Sequence, residues 1–217
     1  MCHVDWTPCE RPGRSELQGR HVAMRPLSAA ADTAPLHEAS AGDPEIWKYL
    51  PYGPFESRAG LGELLSGFEA SNDPLFFTFC PRPDERPAGV ASYLRIKPEH
   101  GTIEIGHIWL GTALQRTTAA TEGIYLLAAN AFDRLGYRRL EWKCDALNVR
   151  SRRAAERFGF TFEGVFRKHQ VIKGRNRDTA WFAITDDEWP RVREGYERWL
   201  APENFDGDGR QLRSLSA

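Results

Sequence analysis

The chain has 217 residues, of which 41% are hydrophobic, 27% charged and 12% aromatic. At roughly 150 residues per domain that is one large domain with extensions, able to bury on the order of 70% of its extended surface without a disulfide or metal staple. Lys and Arg (29) balance Asp and Glu (30) to a formal net charge of −1, which excludes a protein built chiefly to coat nucleic acid or an anionic membrane.

Residues 1–20 read as an extended lead-in whose lone Trp6 plugs into the domain. Cys2, His3 and Cys9 are the nearest approach to a metal-ligand pattern. Cys80 and Cys144 lie far away, and without a CxxC neither a disulfide framework nor a thiolate zinc site is expected. No basic segment followed by an apolar one opens the chain, and the longest mostly apolar stretch, 124–132, is far short of a membrane span. A soluble, reduced, cytoplasmic protein is the expectation.

Residues 21–27 alternate as a first strand that Pro26 terminates. The Ala-rich stretch 29–40 predicts a helix, and a loop dense in aromatics and prolines follows over 43–55. Leu61, Leu64, Leu65 and Phe68 recur at helical spacing within 58–70. Three strands are predicted at 75–80, 88–96 and 102–110, the last nearly continuously apolar, as in a strand covered on both faces. A long helix over 118–135 buries Ile124, Leu127, Ala128, Ala131 and Leu135 and is closed by Gly136. A strand at 139–146 alternates, and a helix runs from Asn148 as N-cap to Phe158 before Gly159. Residues 160–172 and 179–184 pair as a hairpin around Lys173-Gly174-Arg175-Asn176. Thr185-Asp186-Asp187-Glu188 opens a last helix ending near Leu200, and the Gly/Asp/Ser-rich tail from Pro202 is expected to be mobile. The order contains no internal repeat and suits a mixed sheet with helices on both faces.

The junction between strand 102–110 and helix 118–135 is the most informative stretch. It reads Gln115-Arg116-Thr117-Thr118-Ala119-Ala120-Thr121-Glu122. A helix N-terminus offers unpaired N–H groups and a positive dipole end to an anion. Small residues let a pyrophosphate approach the backbone, and Arg116 and the threonines add donors. The same residues also read as an ordinary helix start with threonine as its cap.

This loop resembles the Gln/Arg-x-x-Gly-x-Gly/Ala loop of the GNAT (Gcn5-related) N-acetyltransferases, with Gln115, Ala120 and Glu122 in register and Thr118 where the family usually has Gly. Asn148-Val149-Arg150-Ser151, then Glu156-Arg157-Phe158-Gly159-Phe160 and Glu163-Gly164, look like the family's second conserved stretch. Trp47-x-Tyr49-Leu50-Pro51-x-Gly53-Pro54-Phe55 is similar to a segment common in its RimJ/RimL-like branch. The resemblance covers about residues 20–190. It implies an α/β GNAT fold with a mixed, twisted central sheet of about six to seven strands and helices on both faces. It also implies one domain over 21–201 between the lead-in (1–20) and a flexible tail (202–217).

The activity implied is transfer of acetyl from acetyl-CoA, a co-substrate, to a primary amine by direct attack in a ternary complex, with no metal. The resemblance places the pyrophosphate on Gln115, Arg116, Thr117, Thr118, Ala119, Ala120 and Thr121, with Asn148 nearby. The pantetheine runs beside Ile108, Trp109 and Leu110 like an added strand, where a backbone N–H steadies the oxyanion of the tetrahedral intermediate. Ser151 matches the serine that relatives use near the CoA sulfur and is the candidate acid, although it also reads as a serine bonded only to helix backbone.

Some relatives place a catalytic Glu seven residues after the first Glu of the Glu-Gly pair; here that position is Gln170, which is not a base. Glu104 and His169, acting through water, or no protein base at all, are the alternatives. Glu104 equally reads as a buried structural carboxylate and His169 as a solvated strand residue. On a regular strand His169 and Gln170 face opposite sides, so only one reaches the cleft. Trp47, Tyr49, Tyr52 and Phe55 either wall the acceptor pocket, with Asp43 or Glu45 drawing a cationic amine, or simply cover the core.

The acceptor is a protein N-terminal α-amine or a small-molecule amine. The basic run Arg138, Arg139, Lys143, Arg150, Arg152, Arg153 and Arg157 reads as a solvated face partly near CoA phosphates, so no nucleic-acid or membrane partner is expected. A homodimer is a frequent state for soluble enzymes. The rival reading is a catalytically idle acyl-CoA-binding or interaction module, for which Thr118 and Gln170 speak.

Overall fold

One sheet of eight strands organises residues 5–215, the part of the chain that the computed structural model describes. The strands are β1 (Leu17–Gln18), β2 (Val22–Pro26), β3 (Leu75–Pro81), β4 (Gly89–Lys97), β5 (Thr102–Leu110), β6 (Arg139–Asp145), β7 (Thr161–Ile172) and β8 (Arg175–Thr185). Their order is β1-β2-β3-β4-β5-β6-β8-β7, and every neighbouring pair is antiparallel except β5 and β6, which are parallel. The sheet is mixed, as expected, but has eight strands where six to seven were predicted. The extra strand is β1, a two-residue segment of the lead-in that pairs Leu17 with Met24 and Gln18 with Ala23. Two residues carry no period, so the sequence pattern could not mark it.

Helices α1 (Ala29–Ser40), α2 (Arg58–Ala70), α3 (Thr118–Ala129), α4 (Val149–Arg157) and α5 (Trp189–Leu200) complete the domain. The two faces of the sheet bury different clusters. On one, Leu27, Leu36, Leu61 and Leu65 meet Phe76, Val90 and Trp109 beneath α1 and α2. On the other, Phe77, Phe79, Ala91, Tyr93 and Ile103 meet Ile124, Leu127, Val192 and Tyr196 beneath α3 and α5. Successive residues of β3 and β4 thus point into opposite cores, which is why those strands are apolar throughout.

The α-helical part of the predicted helix 118–135 ends at Ala129 and passes into a π-helical turn, Asn130–Arg134. There the Tyr93 hydroxyl donates to the Leu127 carbonyl, and Asn130 Nδ2 donates to Tyr93 Oη at 3.2 Å. β8 starts at Arg175 rather than 179, because its first residues are polar and mimic a turn. The tail is not free: Asn204 is buried, with side-chain bonds to Trp199 O, Arg213 O and Arg213 N, and Leu215 enters the main core. In the lead-in, Trp6 donates from Nε1 to Glu99 O at 3.1 Å and lies on Gly101 (φ 62°), where a Cβ would come within 2.5 Å of its ring.

Two contacts set α3 against the sheet. The buried Glu122 carboxylate accepts from the backbone N–H groups of Arg20 (3.0 Å), His21 (2.6 Å) and Val22 (3.0 Å), tying the helix start to the β1–β2 turn. At Gly123 a Cβ would come within 2.3 Å of Phe79 and 2.9 Å of Met24 Sδ. Replacing Gly123 by valine is therefore expected to cost about 1–3 kcal/mol through overpacking. For a chain of this length, that is a fall of roughly 2–12 °C in Tm, measurable by thermal unfolding. An unchanged Tm would mean that α3 shifts outward without penalty.

Candidate active site

The parallel pair is short. β5 and β6 register only from Thr102–Arg139 to Ile105–Trp142. Beyond that point β5 keeps β4 as its partner through Gly106, Trp109 and Leu110, while β6 keeps β8 through Lys143, Cys144 and Asp145. The strands part, and a cavity of about 1310 Å³ opens between them. One backbone edge of β5 over 106–110 is left without a strand. A bulge in the β4–β5 ladder between Val90 and Ser92 places His107 in the left-handed region (φ 50°), which turns this stretch out of regular alternation.

The cavity reaches the start of α3. Thr117 is the N-cap: its Oγ1 accepts from Ala120 N at 3.2 Å and donates to Leu114 O at 2.7 Å. Thr121 Oγ1 donates to Thr117 O at 3.3 Å and accepts from Arg157 Nη1 at 3.1 Å. These two hydroxyls are spent inside the protein, whereas the amides of Thr118 and Ala119 have no protein acceptor among the described residues. Thr118 needs no glycine backbone, because the left-handed residue of this loop is Arg116 (φ 62°). Gln115 Nε2 donates to Leu110 O at 3.0 Å and so fixes the loop to the end of β5. Arg157 also borders the cavity; burial lowers its pKa, and among the described residues it has no carboxylate partner.

Of the residues expected around the cofactor, Ile108, Trp109, Leu110, Gln115, Arg116, Thr117, Thr118, Ala120, Thr121 and Asn148 border this cavity. Ala119 does not: it is turned into the main core, as every third or fourth residue of a helix lying on a sheet must be. The Trp109 ring packs on Trp47, with centroids 5.0 Å apart. Asn148 spends its Oδ1 on Ser151 N (3.1 Å) as the cap of α4.

Ser151 stands on the first turn of α4 at the β6 side of the cavity. Its Oγ accepts from Trp142 Nε1 at 3.0 Å. An indole N–H only donates, so the serine proton is left to point elsewhere. Beside it, burial raises the Cys144 thiol more than the neighbouring Ser151 hydroxyl lowers it, which leaves the thiol a poor nucleophile.

Glu104 is almost fully buried where the strands begin to part, and both of its cations meet one oxygen: Arg95 Nη1 at 2.7 Å and Lys143 Nζ at 2.8 Å from Oε2. Its Oε1 has no hydrogen-bond partner among the described residues and lies over Gly106, 3.4 Å from where a Cβ would sit. Lys143 also reaches Glu141 Oε2 at 2.5 Å and lies 3.9 Å from the centre of the Trp181 ring.

His169 holds Thr179 Oγ1 through Nδ1 at 3.0 Å and borders the cavity. So does Gln170, contrary to the strand-alternation expectation. Between Phe166 and Gln170, β7 advances four residues against two of β8, and Lys168 is left-handed (φ 53°), so alternation is lost there.

The four aromatics of the 43–55 loop separate. Tyr49 borders the cavity; Trp47, Tyr52 and Phe55 do not, since they pack on one another, on Phe68 and on Trp109 as part of the second core. Glu45 borders the cavity but is paired with Lys48 at 2.9 Å, and Asp43 instead accepts from Glu45 N at 3.1 Å. Sequence reasoning missed His107 and Arg177 as parts of this site, and it read Lys143 as part of a solvated basic face although the side chain is only 4% exposed. Burial, with the charges of Arg95 and Arg177, pushes His107 down to about 4, so it stays neutral where it stacks on Tyr52. A lone histidine within the apolar run leading to the loop was the one available signal.

Among the described residues no group of three His, Cys, Asp or Glu is placed to hold a metal ion, and no helix is long and apolar enough to cross a membrane. Cys2 and His3 lie outside the described residues.

Residues 21–161 match the model of the acetyltransferase (GNAT) domain. A GCN5-related N-acetyltransferase from Brucella melitensis is similar at 46% identity and a TM-score of 0.95, over 97% of this chain and 96% of that one. A GNAT-family protein from Chromobacterium violaceum ATCC 12472 follows at 39% identity and a TM-score of 0.82, over 88% and 96%. The microcin C7 self-immunity acetyltransferase MccE, solved with acetyl-CoA and AMP, shares the fold at 22% identity and a TM-score of 0.68, over 77% and 93%. No curated protein matches the sequence. The chain belongs to the GNAT acetyltransferases, a family whose fold implies acyl transfer from acetyl-CoA.

Proposed function

We propose that this protein is an acetyl-CoA-dependent N-acetyltransferase of the RimJ/RimL-like branch that moves acetyl to a primary amine by direct attack in a ternary complex. The observation that carries the reading is the parted β5–β6 pair, whose cleft runs from unspent amides at the start of α3 to titratable side chains at its other end. The residues present fit the cofactor: Thr118 borders the cavity with an unspent amide, and Arg116 and Arg157 offer guanidinium groups to phosphates. The open edge of β5 at Ile108, Trp109 and Leu110 offers backbone groups to an extended pantetheine.

Acetyl-CoA supplies an activated acyl carbonyl. A backbone N–H of the β5 edge steadies the negative charge that gathers on the carbonyl oxygen. Ser151 passes its hydroxyl proton to the departing sulfur and recovers one from the water that carries the amine's proton. Glu104 through Oε1 and His169 through Nε2 are the two groups placed to accept the amine's proton through water.

Calorimetric titration with acetyl-CoA tests this first. Saturable binding that a Thr118→Trp variant loses is the expected result, because the indole fills the space before the α3 amides. Absence of binding in the wild type would overturn the reading. Tight binding without transfer to any amine of a broad panel would favour an idle acyl-CoA-binding module instead.

A further inference from the structure

Charges at the acceptor end of the cleft are mostly spent. Lys48 is paired with Glu45, and Glu104 with Arg95 and Lys143. Arg150 at the rim has no ion pair either among the described residues but is exposed, and Arg177 is the half-buried exception. It stands on β8, half-buried and bordering the cavity, and its Nε donates to Thr179 Oγ1 at 3.2 Å. Among the described residues its two terminal nitrogens meet no acceptor and no carboxylate lies within ion-pair reach. Asp145 and Glu104 act on it only through space, and Arg95 opposes it. A guanidinium drawn partly out of water without a partner is costly, and the fork it presents matches a carboxylate or a phosphate oxygen pair.

The walls around this end are tied together. Lys173, in the β7–β8 turn, donates from Nζ to Trp47 O and Tyr52 O, both at 3.0 Å. Tyr49 Oη donates to Leu147 O at 3.2 Å and joins the same loop to the segment before α4. The hairpin that carries Arg177 is thereby strapped to the 43–55 loop, and that loop to the opposite side of the cleft. Such a bridged mouth suits a compact acceptor better than a chain that must run out of it.

We propose that the acceptor is a small amine bearing a carboxylate or phosphate-type group, and that Arg177 binds this group as a two-pronged fork and so fixes where the amine nitrogen arrives. The proposal rests on the N-acetyltransferase reading above. It reverses the expectation from the sequence that Asp43 or Glu45 selects the acceptor by its positive charge.

The test is kcat/KM for matched acceptors: amino acids against their amides, aminoalkyl phosphonates against the corresponding alkylamines, and a peptide amidated at its C-terminus. The acid member of a pair is expected to be favoured about 10- to 100-fold, as charge-assisted hydrogen bonds allow. The pair with the larger ratio separates carboxylate from phosphate-type acceptors. Arg177→Gln is expected to bring the ratio near 1 while the calorimetric Kd for acetyl-CoA stays unchanged. Arg177→Lys, a point charge without the fork, is expected to recover part of it.

A ratio near 1 in the wild type, a ratio that survives in Arg177→Gln, no transfer to any acid-bearing amine, or faster turnover of the amidated peptide would each overturn the proposal. If acetyl-CoA still binds in those cases, only the role of Arg177 falls. If the wild type binds no acetyl-CoA, the acetyl-transfer reading falls and this proposal with it.

Discussion

Replacing Ser151 by alanine is expected to lower kcat about 100-fold while the KM for acetyl-CoA moves less than about 3-fold, the pattern of a group that acts in the transition state rather than in binding. The reason lies in how its hydroxyl is held. Trp142 fills an acceptor site of Oγ, and Asn148 holds the backbone of the same residue, so the side chain is fixed with its proton to give. Alanine keeps the helical backbone and the Asn148 cap and removes only the donor. It also strands the Trp142 indole N–H, at a cost of about 1–3 kcal/mol. Trp142→Phe is therefore the control: it removes the indole donor and keeps the serine. If the serine proton matters, Trp142→Phe loses far less activity than Ser151→Ala. Equal losses would reduce Ser151 to a strut for the tryptophan, and an unchanged kcat in Ser151→Ala would remove it from the chemistry.

What the sequence made legible was whatever repeats locally. The bounds of α1, α2 and β5 follow from an Ala-rich run, a leucine stripe and an apolar strand, and the structure places them at 29–40, 58–70 and 102–110. The loop at the start of α3 was legible because backbone amides and small side chains are a local signature. The cleft itself was not. It exists because β5 and β6, which a helix separates in sequence, pair for only part of their length, and no local pattern encodes where two strands stop pairing.

The ladder irregularities at His107, at Lys168 and at Arg95, where β4 slips against β5 between Leu94 and Lys97, escaped for a related reason. His107, Arg95 and Lys168 hold left-handed backbone without being glycine, so nothing marked the loss of alternation that brings His169 and Gln170 to one cavity. The aromatic loop misled in the opposite direction. Trp47 and Phe55 look like pocket walls by composition, yet burial in the second core gives them more apolar contact than a solvent-lined site offers. Arg177 was hidden in a polar stretch that reads as a turn.

Lys143→Met is expected to destabilise the domain by about 3 kcal/mol, the scale for removing one partner from a buried ion pair. In a chain of this size that lowers Tm by roughly 6–12 °C. Its side chain is only 4% exposed and lies between Glu104, 4% exposed, and Glu141, 15% exposed. Without it Glu104 keeps only Arg95, which is 47% exposed, and Glu141 keeps only Arg139. The variant also carries a pH signature. Burial by itself raises the Glu141 carboxyl, but Lys143 and Arg139 outweigh it and hold the group below its ordinary range. A carboxyl lowered on folding contributes stability that is present above its unfolded pKa, about 4.3, and lost as pH falls through the folded value. In the wild type this contribution therefore fades only below about pH 4.3. In Lys143→Met the Glu141 carboxyl moves back up, so this group loses less stability on acidification and the Tm gap between the two proteins narrows as pH falls through the carboxylate range. Thermal unfolding of both proteins between about pH 3 and pH 7, a span that brackets that carboxylate value, reads the two effects together. Parallel Tm curves would show that Lys143 does not hold Glu141 in its charged form. Coincident curves would mean that water reaches the parted strands and replaces the lysine, and the free Oε1 of Glu104 would then face solvent rather than an enclosed acceptor amine.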